Sequence, residues 1–212
     1  MLDRQENAEI REMEVETVIL EGNAARLEPI RREHWKELWE AAKDSVDDIF
    51  RWIPYPMRTP EDFEQWADKA LRDQERGESL VFVTVERASG RLIGSTRFMN
   101  IDRTNRRVEI GSTWIVPAWQ RTAINTEAKY VMLRHAFEQR GCIRVELKTD
   151  ALNEKSRNAI LRIGAKEEGT FRRHLITSTG RVRDTVYFSI LDSEWPEVKA
   201  RLEAKLTYVS SG

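Results

Sequence analysis

Trp114-Ile115-Val116-Pro117-Ala118-Trp119-Gln120-Arg121-Thr122-Ala123-Ile124-Asn125-Thr126-Glu127-Ala128-Lys129-Tyr130-Val131-Met132-Leu133-Arg134-His135-Ala136-Phe137 changes character halfway along its length. Val108, Ile110, Trp114 and Val116 fall on alternate positions, the spacing of a strand with one buried face. From Ile124 the apolar positions move to Ala128, Val131, Met132 and Ala136, a helical stripe that Leu133 and Phe137 widen. Pro117 removes a backbone donor and stops the ladder between the two. The stretch predicts a strand, a polar turn at Gln120-Arg121-Thr122 and a helix N-terminus. That first helical turn leaves N–H groups without partners and carries partial positive charge. Arg121 adds a full charge, and Thr122, Asn125 and Thr126 add short donors, so the turn can cradle a pyrophosphate. The competing reading is a helix capped by Thr122 with no ligand, and the turn alone does not separate the two.

Composition narrows the classes. The chain has 212 residues and a 40% apolar share, enough for one large domain or two small ones, and 33% charge makes a richly charged soluble protein. A net charge of −1 gives no global field favouring nucleic acid or a membrane surface. Cys142 is the only cysteine, which excludes an internal disulfide and suggests a reducing compartment. No apolar run approaches the roughly 20 residues that span a bilayer. The charged stretch Met1 to Glu16 is unlike a secretory signal, so the expectation is a cytoplasmic protein. Three scattered histidines and one cysteine give no metal site.

Working outward, residues 1–14 read as a charged arm and 15–212 as one domain. Val18-Ile19-Leu20 and Ala25 to Leu27 are short extended pieces, and Trp35, Leu38, Trp39 and Ala42 mark a helix. Pro54 and Pro56 make Arg51 to Pro56 a stiff loop whose Trp52 and Tyr55 are either satellite core or the wall of a binding site. Thr59-Pro60-Glu61-Asp62 starts the next helix, which Gly77 closes. Leu80 to Glu86, Leu92 to Ile101 and Val108 to Val116 form an antiparallel meander. Cys142 to Thr149 follows the central helix as a strand with Ile143, Val145 and Leu147 on one face; the passage of about forty residues suits a parallel crossover. A helix from the N-cap Asn153 to Ile163, a hairpin around Ser178-Thr179-Gly180 and a closing helix from Glu194 to Leu206 complete the chain.

These elements together resemble the GNAT superfamily of acyltransferases, most closely the branch containing bacterial ribosomal-protein N-terminal acetyltransferases. The resemblance runs from about Val15 to Leu206. It rests on Gln120 to Lys129, Asp150-Ala151-Leu152-Asn153-Glu154-Lys155-Ser156, Ile163 to Gly169, and Asp184-Thr185-Val186-Tyr187-Phe188-Ser189. It implies an α+β fold: a mostly antiparallel mixed sheet, flanked by helices, whose central parallel pair splays apart. It also implies acetyl-CoA as co-substrate, with its diphosphate on Gln120, Arg121, Thr122, Ala123, Ile124, Asn125 and Thr126. Backbone groups of Trp114, Ile115 and Val116 would bond the pantetheine, and Asn153 and Ser156 would face the thioester. The family loop usually has glycine where this chain has Ala123, and Gly or Ala at Asn125; alanine resists positive φ and crowds a phosphate.

Acyl transfer to an amine needs a neutral amine, a polarised carbonyl and a stabilised thiolate. Glu109 faces opposite to Val108 and Ile110 and, by the resemblance, removes the amine proton; a salt-bridged strand residue is the alternative. No tyrosine stands on the helix after Asn153, where many GNAT enzymes keep a general acid; the resemblance to the ribosomal branch makes the Ser156 hydroxyl the candidate proton donor, unless it caps its own helix. Trp52 and Tyr55 are the candidate acceptor wall. His135 reads as structural or surface, Arg172 and His174 as solvated strand charges within reach of an acceptor, and Cys142 as a small core residue. The expected activity is acetyl transfer to a protein N-terminal α-amine or a small-molecule amine, with no nucleic-acid or membrane partner and a homodimer left open. Transfer of another acyl group such as succinyl, or CoA binding without turnover, are the rival readings.

Overall fold

The computed structural model describes residues 16–210, with nothing stated of the side chains after Thr207; the predicted N-terminal arm lies outside that range. Eight strands form one sheet: β1 (Leu20–Glu21), β2 (Ala25–Pro29), β3 (Ser79–Glu86), β4 (Leu92–Asp102), β5 (Arg107–Ile115), β6 (Arg144–Asp150), β7 (Lys166–Ile176) and β8 (Val182–Leu191), in the order β1-β2-β3-β4-β5-β6-β8-β7. Every pairing is antiparallel except β5 with β6. The helices are α1 (His34–Ala42), α2 (Val46–Ile49), α3 (Pro60–Glu75), α4 (Ala123–Arg134), α5 (Glu154–Arg162) and α6 (Trp195–Ser210). None of them among the described residues is long and apolar enough to cross a membrane.

Local chemistry sets several boundaries. Thr59 accepts from the Asp62 N–H while Asp62 accepts from the Thr59 N–H, a reciprocal cap that starts α3 with Pro60 at its first position. Asn153 Oδ1 caps α5 by accepting from the Ser156 N–H at 3.1 Å. The central helix is α-helical only to Arg134; His135 to Gln139 form a wider turn before Cys142. The strand after it begins at Arg144, so Ile143 stays outside the sheet and 38% exposed, and the buried face of β6 rests on Val145 and Leu147. The strand thus starts two residues later than the sequence suggested, although Ile143 still donates its N–H to Arg106 O and accepts from the Asp192 N–H.

The sheet divides two apolar cores. One joins Leu27, Phe82, Phe98, Val108, Ile110, Val145, Leu147, Phe188 and Ile190 to α4, α5 and α6. The other packs α1 and α3 on the opposite face, where Phe50, Phe63 and Trp114 meet edge to face at centroid distances of 5.1–6.1 Å. Val108 and Ile110 therefore lie in one core and Trp114 and Val116 in the other, although the sequence puts all four on one face. An extra residue explains this: β4 pairs Ser95 with Trp114 and Arg97 with Gly111, so β5 carries a bulge at Ser112 and Thr113, with Ser112 at φ 48°. One inserted residue exchanges the faces of everything beyond it.

The bulge is met from below by a lysine. Lys129 of α4 is buried and donates to Thr113 Oγ1 at 2.6 Å and to Thr96 Oγ1 at 3.3 Å, with no carboxylate in ion-pair range among the described residues. Two residues earlier, Glu127 points to the β1–β2 turn and accepts from the N–H groups of Asn23, Ala24 and Ala25, each at 2.7 Å. A side chain at Gly22 would meet its carboxylate at 2.4 Å, so this turn closes on Glu127 only with glycine there.

Burial brings the Lys129 ammonium down to about 7. The unfolded chain holds that proton up to a pKa near 10.4, so stability rises with pH between the two values and the burial cost is in full force below about 7. Lys129→Met leaves Thr96 and Thr113 bonded to each other at 2.7 Å. Relative to this variant, the wild type should gain on the order of 2–4 kcal/mol between pH 6.5 and pH 9.5 in urea unfolding. A difference independent of pH would show that the lysine does not titrate in that window.

Candidate active site

The ladder between β5 and β6 is three residues long, from Arg107 and Arg144 to Glu109 and Glu146. Beyond it β5 runs on beside β4 to Ile115 and β6 beside β8 to Asp150, with no pairing between them. The opening faces the N-terminus of α4 on one side and the start of α5 on the other. Val116 donates its N–H to Ile93 O on β4, so strand alternation turns the Ile115 N–H and C=O toward the opening. Of the three residues expected to present backbone groups, Ile115 alone does so, and its carbonyl already accepts from Gln120 Nε2 at 2.8 Å.

In the turn before α4 the left-handed residue is Arg121 at φ 63°, while Ala123 is the first helical residue. The expected conflict between alanine and positive φ does not arise, because the reversal falls two residues earlier. The backbone N–H groups of Arg121, Thr122 and Ala123 have no partner among the described residues, and the exposed Arg121 side chain makes no ion pair. The Thr122 hydroxyl is not available as a donor, since it caps Ile124 N–H and donates to Trp119 O at 2.8 Å. Asn125 and Thr126 are half-buried with no side-chain hydrogen bond. This set of free amides beside a free guanidinium fits a diphosphate. Across the opening, Lys155 of α5 donates to Gln120 Oε1, a bridge the sequence did not suggest.

Glu109 stands where the short ladder ends, on the face away from α4, and is 2% exposed. Its Oε2 is held twice, by Asn100 Nδ2 at 2.7 Å and by Lys148 Nζ at 2.8 Å. Oε1 accepts no hydrogen bond among the described residues and lies over Gly111 beside Met99 Sδ, each 2.9 Å from where a Cβ would stand. Asn100 reaches Glu109 from a second bulge, at φ 50° on β4. The face continues across β6 and β8 as a polar network. Asp150, wholly buried, pairs with Arg181 and, at 3.7 Å, with Arg183. Lys148 lies over the Tyr187 ring, which packs with Phe171 and His174.

The stiff loop is tied to this network. Trp52 is half-buried, its carbonyl accepts from Arg183 Nη1 at 3.2 Å, and its ring lies under Arg51 and Arg181. Tyr55 is half-buried against the α1–α3 core, so the loop's two aromatics serve different neighbours. Ser156 is half-buried on the first turn of α5; its hydroxyl bonds nothing, because Asn153 does the capping. His135 is buried and bonded to Gln139 and Arg140, which makes it structural. Burial raises the Cys142 thiol to about 11, which rules it out as a nucleophile. No group of three or more His, Cys, Asp or Glu among the described residues could hold a metal. Alternation of Arg144, Glu146 and Lys148 against Val145 and Leu147 was a readable sign of this polar face; Arg97, Asn100 and Lys129 gave none.

A mixed sheet opened at its one parallel pair, with a helix N-terminus at the mouth, is the architecture of acyl-CoA-dependent acyltransferases. Residues 25–166 match the acetyltransferase (GNAT) domain, and the chain belongs to that family. A crystal structure of a GCN5-related N-acetyltransferase from Brucella melitensis is 36% identical with a TM-score of 0.84, covering 91% of this chain and 86% of that one. A Bacillus subtilis (strain 168) protein named "Putative ribosomal N-acetyltransferase YdaF" is 39% identical over 106 residues, 50% of this chain and 57% of that protein. The chain thus spans a little over half the length of that relative. A second protein of the same organism, "Uncharacterized N-acetyltransferase YnaD", is 26% identical over 76% of this chain and 89% of its own length.

Attraction of an anion to a helix N-terminus contributes only roughly 0.3–2 kcal/mol, so Arg121 and the free amides must act together. Arg121→Glu should weaken acetyl-CoA binding at least about tenfold by calorimetry, a loss of roughly 1.4 kcal/mol. Unchanged affinity would place the diphosphate elsewhere.

Proposed function

We propose that the protein is an acetyl-CoA-dependent N-acetyltransferase that acts by direct attack of an amine held against Glu109. The observation that carries this reading is the division of labour within one carboxylate: Oε2 fixed by Asn100 and Lys148, Oε1 without a partner at the end of the three-residue ladder. Acetyl-CoA supplies the acyl group as a thioester. Arg121 and the amides of residues 121–123 would hold its diphosphate, and Ile115 N–H its pantetheine. Glu109 Oε1 would orient the amine and accept the proton it loses. Ser156 Oγ, unbonded at the start of α5, would give a proton to the departing sulfur. Fixing one oxygen orients the other, which is what a general base at a set distance requires.

The acceptor follows from amine chemistry. Reference pKa values near 7.7–8.0 for an α-amine and 10.4 for lysine leave roughly 10–15% and 0.04% neutral at pH 7. An α-amine therefore starts with a roughly several-hundredfold larger reactive fraction, and Glu109 has only to take the proton lost on attack. We infer that α-amines, of protein N-termini or of small amino compounds, are the preferred acceptors, approaching over the Trp52 side of the open face.

Glu109→Gln should lower turnover by about 10²- to 10⁴-fold, the usual worth of general-base catalysis, and leave acetyl-CoA affinity unchanged. Wild-type turnover in that variant between pH 6 and 9 would remove Glu109 from the chemistry. In competition at pH 7, a peptide with a free N-terminus should be acetylated faster than an N-blocked peptide bearing lysine; the opposite order would overturn the acceptor assignment.

A further inference from the structure

Two arginines are buried among the described residues, and they are treated differently. Arg183 is paired with Asp150 and donates to Thr185 Oγ1 and Trp52 O. Arg97, 7% exposed in the middle of β4, has neither an ion pair nor a side-chain hydrogen bond among the described residues. Its Nε is fully enclosed without an acceptor, whereas Nη1 and Nη2, equally unbonded, retain an opening to solvent. Burying a guanidinium without a counter-charge is costly, and a fold does not gain stability from it.

The register places this cation. Arg97 stands across from Gly111, and Met99, two residues on, stands across from Glu109. All four share the face that Trp114 rejoins beyond the bulge, because Ser95 faces Trp114. Glu109 is therefore a diagonal cross-strand neighbour of Arg97, and such neighbours are about 7–8 Å apart. Gly111 itself puts no side chain between them; Glu109 Oε1 and Met99 Sδ both lean over it, each 2.9 Å from where a Cβ would stand. Even so the two do not close into an ion pair. Glu109 is engaged through Oε2 with Lys148 and Asn100 on its far side. A free carboxylate oxygen and free guanidinium donors therefore stand on one face of the sheet, with the Met99 sulfur beside them.

We propose that Arg97 binds a carboxylate of the acceptor, so that the acceptor is an α-amine carrying a carboxylate a few bonds away, the chemistry of a free amino acid. This deepens the reading of Glu109 as the base and rests on it. The amine donates to Glu109 Oε1 while the carboxylate takes the fork of Nη1 and Nη2, a geometry that guanidinium matches and ammonium does not. A site built to pair a charge rejects the isostere that lacks it, because the buried guanidinium then stays unpaired.

The test compares free amino acids with their neutral α-amides as acceptors, in the wild type and in Arg97→Met and Arg97→Lys. The wild type should favour the acid over the amide by at least about tenfold in kcat/KM, corrected for the amine pKa of each. Arg97→Met should lose that preference through KM for the acid while keeping its activity on the amide, and Arg97→Lys should restore part of it. Without ligand, Arg97→Met should melt at a temperature equal to or above the wild type. Equal use of acid and amide by the wild type overturns the inference. So does a uniform loss on both acceptors in Arg97→Met, which would mean that Arg97 serves Glu109 and not the acceptor. If no acceptor is acetylated, the Glu109 reading fails separately, and calorimetry with the N-acetylated amino acid still decides Arg97: binding to the wild type that Arg97→Met loses supports it, and no binding refutes it.

Discussion

The parallel ladder between β5 and β6 ends after three residues, and most of what distinguishes this molecule follows from that. Parallel pairing needs both strands to keep direction and pleat. The bulge at Ser112 and Thr113 takes both from β5, bending it and exchanging its faces. Trp114 is thereby carried into the aromatic cluster under α3, where Phe50 and Phe63 hold it, while β6 stays with β8. The strands are anchored to different neighbours and cannot close. The backbone at Ile115 is left facing a gap, and the helix that follows opens its N-terminus at the same mouth.

Around that gap the fold handles buried charge in three ways. Glu127 and Asp150 are fully answered, one by three backbone N–H groups and the other by two arginines, and both fasten loops to the frame. Glu109 is half answered, with one oxygen held and one free. Lys129 and Arg97 have no counter-charge. A buried charge left incomplete is a cost that folding alone does not recover, and functional sites are where such costs concentrate. The incomplete groups here lie on or beside β4 and β5 at the bulge, whereas the completed ones lie at loop anchors. That segregation is the physical argument for locating the chemistry at this end of β5.

Much of the architecture was legible because local rules and tertiary structure agreed. The Thr59–Asp62 cap, the Asn153 cap, the hairpins and the crossover through the central helix are each specified within a few residues. The site was legible only in outline. The turn at Arg121 could be located, but which residue adopts positive φ could not, since neither arginine nor alanine signals it. The bulge was hidden because Ser112 is no glycine, and a perfect alternation across it read as one continuous strand. Arg97 and Lys129 were invisible as buried charges for a simpler reason: a cation inside an amphipathic element reads as its solvated face until the packing partner is known.

The central claim is that the gap beyond Glu109 is open in the free protein and is filled by acetyl-CoA against Ile115. Amide hydrogen exchange at Ile115 tests it most directly, because this N–H has no partner in the sheet. The account predicts rapid exchange at Ile115 without ligand, slow exchange at Val116, whose N–H is bonded to Ile93 O, and strong protection of Ile115 on adding acetyl-CoA. An Ile115 amide already protected in the free protein, or one unchanged by saturating acetyl-CoA, would contradict it.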